Sequence, residues 1–122
     1  MNVVGRTFNA IGGRLMARSG RVGILASTGR RSGRRRTAPL GFVRRPDGTV
    51  LVAAGSPGPA WAANVQAQPA CTFTIRGRER RYRARLLEGS ERDEALVAVR
   101  AAWGRMAGRA AFGETFALEP ET

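Results

Sequence analysis

The chain has 122 residues, with 21 basic residues against 9 acidic ones and a formal net charge of +12. Every basic residue is an arginine, and the chain contains no lysine or histidine. This length suits one domain with a single core. The lone Cys71 excludes an internal disulfide and offers no metal-ligand spacing. Without histidine, neither a Ser-His-Asp nor a Cys-His arrangement can exist, so no residue is assigned a conventional catalytic role.

The cellular setting follows from the same composition. No stretch approaches the roughly 20 apolar residues of a membrane span, and the N-terminus lacks a secretion signal. A single cysteine suits a reducing compartment. We therefore expect a cytoplasmic protein.

The N-terminal segment carries apolar residues at helical spacing, at Val4, Phe8, Ile11 and Leu15. We predict an amphipathic helix over residues 2–18 that ends at Gly20. Residues 1–20 then form an N-terminal helical segment, and residues 21–122 form the remaining domain. The favoured role for this helix is packing on the domain or on a second subunit of a homodimer. The alternative is a basic arm resting on anionic lipid.

Extended and turn-forming segments alternate in the first half of the domain. Apolar runs predict strands, Pro46-Asp47-Gly48 predicts a hairpin turn, and Pro69 is expected to end a short helix. The predicted elements are strands over Val22–Thr28, Thr37–Arg45 and Thr49–Ala54, a loop over Gly55–Pro59 and a helix over Ala60–Gln68.

The second half begins with two strands joined by a turn at Gly77. Apolar residues occupy alternate positions, which predicts half-buried strands. The alternating residues are Cys71, Phe73 and Ile75 in the first strand and Tyr82, Ala84 and Leu86 in the second.

A helix and a final strand complete the predicted elements. Ser90 and Asp93 resemble a capping box, which would start a helix that runs to Gly104. Thr115–Leu118 is predicted as the closing strand. About six strands with turn-sized gaps and three helices indicate an α+β fold built on a small antiparallel β-barrel, because parallel pairs would need long crossovers.

The segment from Arg30 to Arg36 places five guanidinium groups within seven residues. Such a density of fixed charge favours a bound polyanion over a solvated hairpin tip. Nucleic acid, anionic lipid and a highly charged cofactor all satisfy this charge. Nucleic acid is the less favoured partner, because few aromatic residues accompany the arginines and no nucleic-acid motif is present.

Two segments carry a resemblance to a known family. Ser27 to Leu40 resembles the signature of the deazaflavin-dependent nitroreductases, the split-barrel reductases that use coenzyme F420. Pro59 to Pro69 resembles that family's second motif, P-x-W-x-x-N-x-x-A-x-P. The resemblance implies a split barrel like that of flavin reductases and pyridoxamine-phosphate oxidases. It also implies transfer of a hydride from reduced F420 to a small electron-poor acceptor, namely a quinone, an enone or a nitro compound.

The resemblance also implies a set of cofactor-binding residues. Arg31, Ser32 and Arg36 would bind the phosphate and the acidic tail of F420, and Pro39 and Leu40 would lie beside its ring system. Small residues at the end of the second arm of the hairpin, after the strand over Thr49–Ala54, would give the ring close access. Residues of the second motif would form another wall of the pocket. The remaining implied residues are Arg30, Gly33, Ala53, Ala54, Gly55, Trp61 and Asn64, with Ser56 and Thr28 as proton-donor candidates by position.

The chain departs from the family pattern on the acceptor side. Nitro-reducing members carry tyrosines that close over the substrate, whereas Ala110-Ala111-Phe112 and Phe116 occupy that region here. The resulting substrate side is roomier and more apolar, which leaves quinone or enone reduction open. The alternative function is a split-barrel protein that binds flavin mononucleotide (FMN), haem or a fatty acid without F420 turnover.

Overall fold

Six antiparallel strands close into a barrel in the computed structural model, which describes residues 22–103 and 111–121. The strands follow the order β1-β2-β3-β6-β5-β4 around the barrel. Two helices, α1 and α2, are described with them. The elements are β1 (Val22–Thr28), β2 (Arg35–Arg44), β3 (Val50–Ala53), α1 (Ala60–Ala67), β4 (Ala70–Ile75), β5 (Arg78–Leu86), α2 (Gly89–Trp103) and β6 (Thr115–Pro120).

This architecture confirms the predicted small antiparallel barrel and its α+β class. Three hairpins, β1–β2, β2–β3 and β4–β5, supply neighbouring strands, and β6 closes the barrel between β3 and β5. The predicted N-terminal helix over residues 2–18 lies outside the described residues.

Several predicted boundaries were wrong in detail. β2 begins at Arg35 rather than Thr37, because Arg35 and Arg36 pair with Thr28 and Ser27 of β1. β6 continues beyond Leu118 to Pro120 through its pairing with β5. The short helix ends at Ala67, with Gln68 as its C-cap.

Two predictions at the start of α2 were also wrong. The helix begins at Gly89, so Ser90 and Asp93 lie inside it instead of forming a capping box. Leu86 is 37% exposed, and the neighbouring Leu87 is buried in its place. The alternation of β5 ends here because the chain leaves the barrel wall to enter α2.

Backbone conformation at the turns follows the residues that the turns require. Arg76 and Gly77 both have positive φ, at 50° and 79°, which suits the tight hairpin between β4 and β5. In the β2–β3 turn, the Thr49 backbone N–H donates to Asp47 Oδ1 at 2.9 Å. This bond is the main cause that lowers the pKa of the Asp47 carboxyl below its usual value.

The barrel interior is filled by side chains from alternate positions of all six strands. Its largest fully buried side chains are Tyr82, Phe73 and Phe116. Ala62 and Val65 of α1 pack into the same cluster, so this helix closes one end of the barrel. A second cluster lies outside the wall, where Ala95 of α2 packs against β3 and β6.

Close packing inside the barrel gives a stability prediction at Gly23. A Cβ atom there would collide with the ring of Phe73, which is fully buried and cannot move aside. We expect Gly23→Ala to lower the free energy of unfolding by about 1 to 3 kcal/mol. Gly55→Ala is the matched control, since no atom lies within 4 Å of its added Cβ. Equal urea midpoints for the two variants would contradict this packing.

Candidate functional site

The arginine-rich segment forms the tip and the first residues of the β1–β2 hairpin. The Gly29 N–H donates to the Arg34 carbonyl at 2.7 Å, and the Gly33 N–H donates to the Gly29 carbonyl at 2.8 Å. Gly33 has a φ of 70°, a conformation that glycine adopts without strain. Ser32 Oγ accepts the Arg34 backbone N–H at 3.2 Å. These bonds fix the shape of the tip from which the arginine side chains extend.

The arginines of this tip are largely without acidic partners. Within the described residues, Arg35 alone among the five has a carboxylate within 4 Å, that of Glu79 at 3.8 Å. Both side chains of this pair are exposed, so the ion pair is worth little. Guanidinium groups that repel one another without compensation favour an anion brought from outside the chain.

A cleft of about 490 Å³ separates the hairpin from the start of α1. Its walls bring together six of the residues predicted from the sequence. These are Arg30, Arg31, Ser32, Arg36, Trp61 and Asn64. The two motifs therefore meet at one site, although 18 residues of chain, 41–58, separate them.

Asn64 joins the two walls of this cleft. It is 4% exposed, and its Oδ1 accepts two hydrogen bonds from Arg30. The backbone N–H of Arg30 donates at 3.2 Å and its Nη1 donates at 2.9 Å. The contact therefore fixes the base of the charged hairpin against α1 and holds one guanidinium at the cleft wall.

The start of α1 adds a second positive element. Pro59 occupies the N-cap position, no side chain caps the helix, and its first turn contains no acidic residue. Pro59, Ala60 and Trp61 all line the cleft. Backbone N–H groups at a helix start carry partial positive charge and bind anions. The arginines and this helix start therefore favour the same kind of ligand.

Trp61 provides the aromatic surface of the cleft. Its ring lies 5.5 Å from that of Phe116, tilted by 58°. Phe116 is fully buried, whereas Trp61 is partly exposed where it lines the cleft. The indole is therefore held from behind by the core and presents its remaining surface to a ligand.

The other predicted site residues lie outside the walls of this cleft. Pro39 pairs with Ile24 in the middle of β2, and Leu40 packs against the barrel core. Ala54 is buried, and Gly33 lines a different cleft on the other side of the hairpin. Ala53, Gly55 and Ser56 do not line the arginine cleft, and Thr28 lines the second one.

Five residues of the cleft wall were missed from the sequence. They are Gly29, Thr37, Ala38, Pro59 and Ala60. Ala38 follows Arg36 by two positions, so strand alternation from Arg36 would have found it. The contribution of Pro59 and Ala60 depends on the orientation of α1, for which the sequence pattern carries no signal.

The described part of the chain contains no metal centre and no reactive cysteine thiol. No group of His, Cys, Asp and Glu residues there could hold a metal ion. Cys71 is 7% exposed, and its Sγ donates to the Tyr82 carbonyl at 3.7 Å. Burial, with a smaller effect from Glu121, raises the pKa of this thiol to about 11. The site can therefore bind and orient an anion, but Cys71 is not a reactive nucleophile.

Comparison with known proteins places this geometry in context. The family model described as F420H(2)-dependent quinone reductase matches residues 2–115. No curated protein matches the chain. Among solved structures, an F420-H2 dependent reductase (FDR-A) shares 26% identity with a TM-score of 0.67, covering 81% of this chain and 94% of that one.

Two further structures show the same fold at lower identity. A protein described as a domain-swapped dimer is 23% identical with a TM-score of 0.68, covering 88% of this chain and 94% of its own. A FAD-binding protein from Mesorhizobium loti is 18% identical with a TM-score of 0.61, and the match covers 93% of this chain and 90% of that one. Among the helices described here, none has the length and apolar character that crossing a membrane requires.

The bond between Asn64 and Arg30 gives a prediction about stability. Asn64→Ala removes the acceptor for both Arg30 donors and should lower the free energy of unfolding by about 1 to 3 kcal/mol. Gln66→Ala, two positions along the same helix, removes one local hydrogen bond to the Ala62 carbonyl. This variant should change the free energy of unfolding by less than about 0.5 kcal/mol. Chemical denaturation measures both, and a larger loss for Gln66→Ala would contradict the role given to Asn64.

The raised pKa of Cys71 predicts an unreactive thiol. At pH 8 the folded protein should react slowly with a disulfide reagent, and the same protein in denaturant should react rapidly. Because the folded pKa lies above the ordinary value of 9.0, this group leaves stability unchanged below about pH 9 and lowers it as the pH rises toward 11. Cys71→Ala should remove that part of the alkaline loss. Fast labelling of the folded protein at pH 8 would contradict the burial of this group.

Proposed function

The chain belongs to the F420H2-dependent quinone reductase family, and from that membership we propose that it passes a hydride from reduced F420 to a small electron-poor acceptor, with a quinone as the favoured acceptor. That it is an F420-dependent reductase follows from the family. The observation that carries the proposal for the site is the cleft in which Arg30, Arg31 and Arg36 face the uncapped start of α1.

The donors of this cleft fit the anionic part of F420. A phosphodiester accepts hydrogen bonds from planar guanidinium forks and from backbone N–H groups, and both are present here. We assign Arg31, Ser32 and Arg36 to the phosphate, together with the first turn of α1. Arg30 contributes a guanidinium that Asn64 already holds, so less side-chain entropy is lost when the ligand binds.

Trp61 is the residue we place beside the flat part of the cofactor. Its indole is the aromatic surface of the cleft and is fixed by contact with Phe116. The sequence also assigned Pro39, Leu40, Ala53, Ala54 and Gly55 to the ring system. These residues lie outside the cleft wall, and their contact with the cofactor stays a prediction.

Hydride transfer needs little acid–base chemistry from this chain. Bound and reduced, F420 supplies the hydride, and the protein supplies binding, orientation and electrostatic stabilisation. The absence of histidine from the sequence is compatible with this division of work. Ser56 and Thr28 stay candidates for the proton donor by position, although neither lines the arginine cleft.

A quinone is favoured over a nitro compound because the matching family is described by that acceptor, and the tyrosines of the nitro-reducing relatives are absent from this chain's corresponding segment. Phe112 stands where nitro-reducing relatives carry tyrosines, and it lies partly buried under the Arg100 guanidinium, 4.7 Å from its ring centroid. Arg92 fixes the same segment through bonds of 2.9 and 3.0 Å to the carbonyls of Phe112 and Gly113. Phe116 is fully buried and belongs to the core.

Other ligands of this fold are less well supported. The chain has no histidine to coordinate haem, and large side chains fill the barrel interior where a fatty acid would need space. FMN also carries a phosphate and is the remaining alternative cofactor. A cytoplasmic location, a homodimer, and packing or lipid contact through residues 1–20 stay predictions from the sequence.

Substitution of the cleft arginines tests the proposed site. Arg36→Ala should weaken F420 binding about 10- to 100-fold, because it removes charge-assisted bonds worth about 1.5 to 3 kcal/mol. Arg83→Ala, on an exposed position of β5 outside the cleft, is the control with the same change in net charge. Quenching of tryptophan emission measures the dissociation constant, since Trp61 lines the cleft.

Two outcomes would contradict the assignment. Equal weakening by Arg36→Ala and Arg83→Ala would mean that net charge, not the cleft, determines affinity. A lower dissociation constant for FMN than for F420, measured by tryptophan quenching of the wild-type protein, would mean that the cleft binds FMN instead.

A further inference from the structure

The loop between β3 and α1 determines where the helix start lies. Residues 55–58 are all exposed and include two glycines, Gly55 and Gly58, the latter with a φ of 82°. Glycine adopts many backbone conformations, so this composition does little to fix the loop from within. The loop leads directly into Pro59, the N-cap of α1, which lines the first cleft, the one of about 490 Å³ beside the arginine hairpin. The position of the loop therefore decides how the start of α1 faces the arginines.

Glu114 holds both ends of this loop. Its backbone carbonyl accepts the Ala54 N–H at 2.8 Å, and its side-chain Oε1 accepts the Gly58 N–H at 3.0 Å. Residues 55–58 form no other hydrogen bond to the described part of the chain. The Gly58 bond joins positions 56 residues apart in the sequence, so no local pattern would reveal it. One residue therefore closes the loop at its beginning and at its end.

Gly113 brings the same segment into close contact with the loop backbone. A Cβ atom at Gly113 would lie 2.6 Å from the Ser56 carbonyl oxygen and 2.7 Å from the Cα of Pro57. The Gly113 N–H also donates to the Ala54 carbonyl at 2.9 Å. Only a residue without a side chain allows this approach. The glycine therefore places the loop within reach of the Glu114 carboxylate.

The segment that carries Glu114 is itself fixed to α2 and to the barrel. Arg92 of α2 donates to the carbonyls of Phe112 and Gly113, at 2.9 and 3.0 Å. Thr115, the first residue of β6, is fully buried, and its Oγ1 donates to the Gly113 carbonyl at 3.2 Å. Glu114 therefore extends from a rigid part of the fold, which allows it to position a loop that has few bonds of its own.

Glu114 acts on the helix start without lining the first cleft. Its bond occupies the Gly58 N–H, and Pro59 has no N–H to donate. The next two N–H groups belong to Ala60 and Trp61, which both line the cleft. The first N–H groups of a helix have no partner within the helix, so these two remain for a bound anion.

We propose that Glu114 is a positioning residue for the cofactor, which fixes the start of α1 opposite the arginine hairpin through its bond to Gly58. The inference rests on the proposed function of the first cleft and adds to it a residue that does not touch the ligand. The bond and the charge of this carboxylate have opposite effects on binding. Loss of the bond loosens the helix start and weakens binding, whereas loss of the negative charge strengthens the attraction for an anion.

Two substitutions at Glu114 separate the bond from the charge. Both variants are titrated with F420, following tryptophan quenching. Glu114→Ala removes the acceptor and should weaken F420 binding about 3- to 10-fold, although it also removes a negative charge. Glu114→Gln loses the same charge but keeps an oxygen that can accept the Gly58 N–H, so it should bind F420 at least as tightly as the wild type.

A control variant and a stability measurement complete the experiment. Glu94→Ala removes an exposed carboxylate of α2 outside the first cleft, with the same change in net charge, and should leave the affinity unchanged. The urea midpoints of Glu114→Ala and Glu94→Ala should lie close together, because the Gly58 bond belongs to an exposed loop. The lower affinity of Glu114→Ala would then arise from the position of the helix start in a folded protein.

The outcomes separate failure of this inference from failure of the proposed function. Tighter F420 binding by both Glu114 variants would mean that only the charge of the carboxylate matters, and equal weakening by both would deny the role given to the bond. Unchanged affinity in both, with Arg36→Ala still weakening binding, would also overturn the inference and leave the first cleft intact. No binding of F420 by the wild type would overturn the proposed function itself.

Discussion

The contact between Asn64 and Arg30 is the constraint on which the site depends. One carboxamide oxygen, buried at the end of the barrel, accepts both the backbone N–H and the guanidinium of Arg30. It thereby ties a hairpin of mutually repelling charges to a helix that is packed into the core through Ala62 and Val65. Without this tie, the tip of the hairpin would be held only by its own backbone bonds, and its position against α1 would no longer be fixed by a buried hydrogen bond.

The exclusive use of arginine fits the same constraint. A guanidinium stays charged at every physiological pH and binds planar anions through two parallel bonds, so the field at the hairpin does not vary with conditions. The cost is permanent repulsion, which the fixed backbone of the tip must withstand. The bonds among Gly29, Gly33 and Arg34 provide that rigidity before any ligand arrives. Folding energy from the apolar barrel therefore holds the charges in a preorganised arrangement.

Sequence patterns predicted the barrel well because its signals are local. The alternation of Cys71 and Phe73 and the turn residues around Gly77 each specify structure within a few residues. The position of the first cleft could be predicted only through the two motifs, because it arises where a hairpin meets a helix distant in the chain. The start of β2 was misplaced, since charge density suggested a turn while pairing with β1 extended the strand through Arg35. Because the strand includes both residues, Arg35 and Arg36 lie beside different clefts. The number of charges in the segment carries no information about this separation.

The division of arginines between the two faces of β2 also limits how this hairpin can evolve. The core-facing Leu40 and Phe42 fix the register of β2, so deleting the one residue between Arg36 and Ala38 would move the residues before it to the opposite face of the strand. Arg35 would then take the position of Arg36 beside the cleft, and Arg34 would take that of Arg35. Changes of length that preserve the site are therefore expected in the tip before Arg35, where they leave the two faces of the strand unchanged.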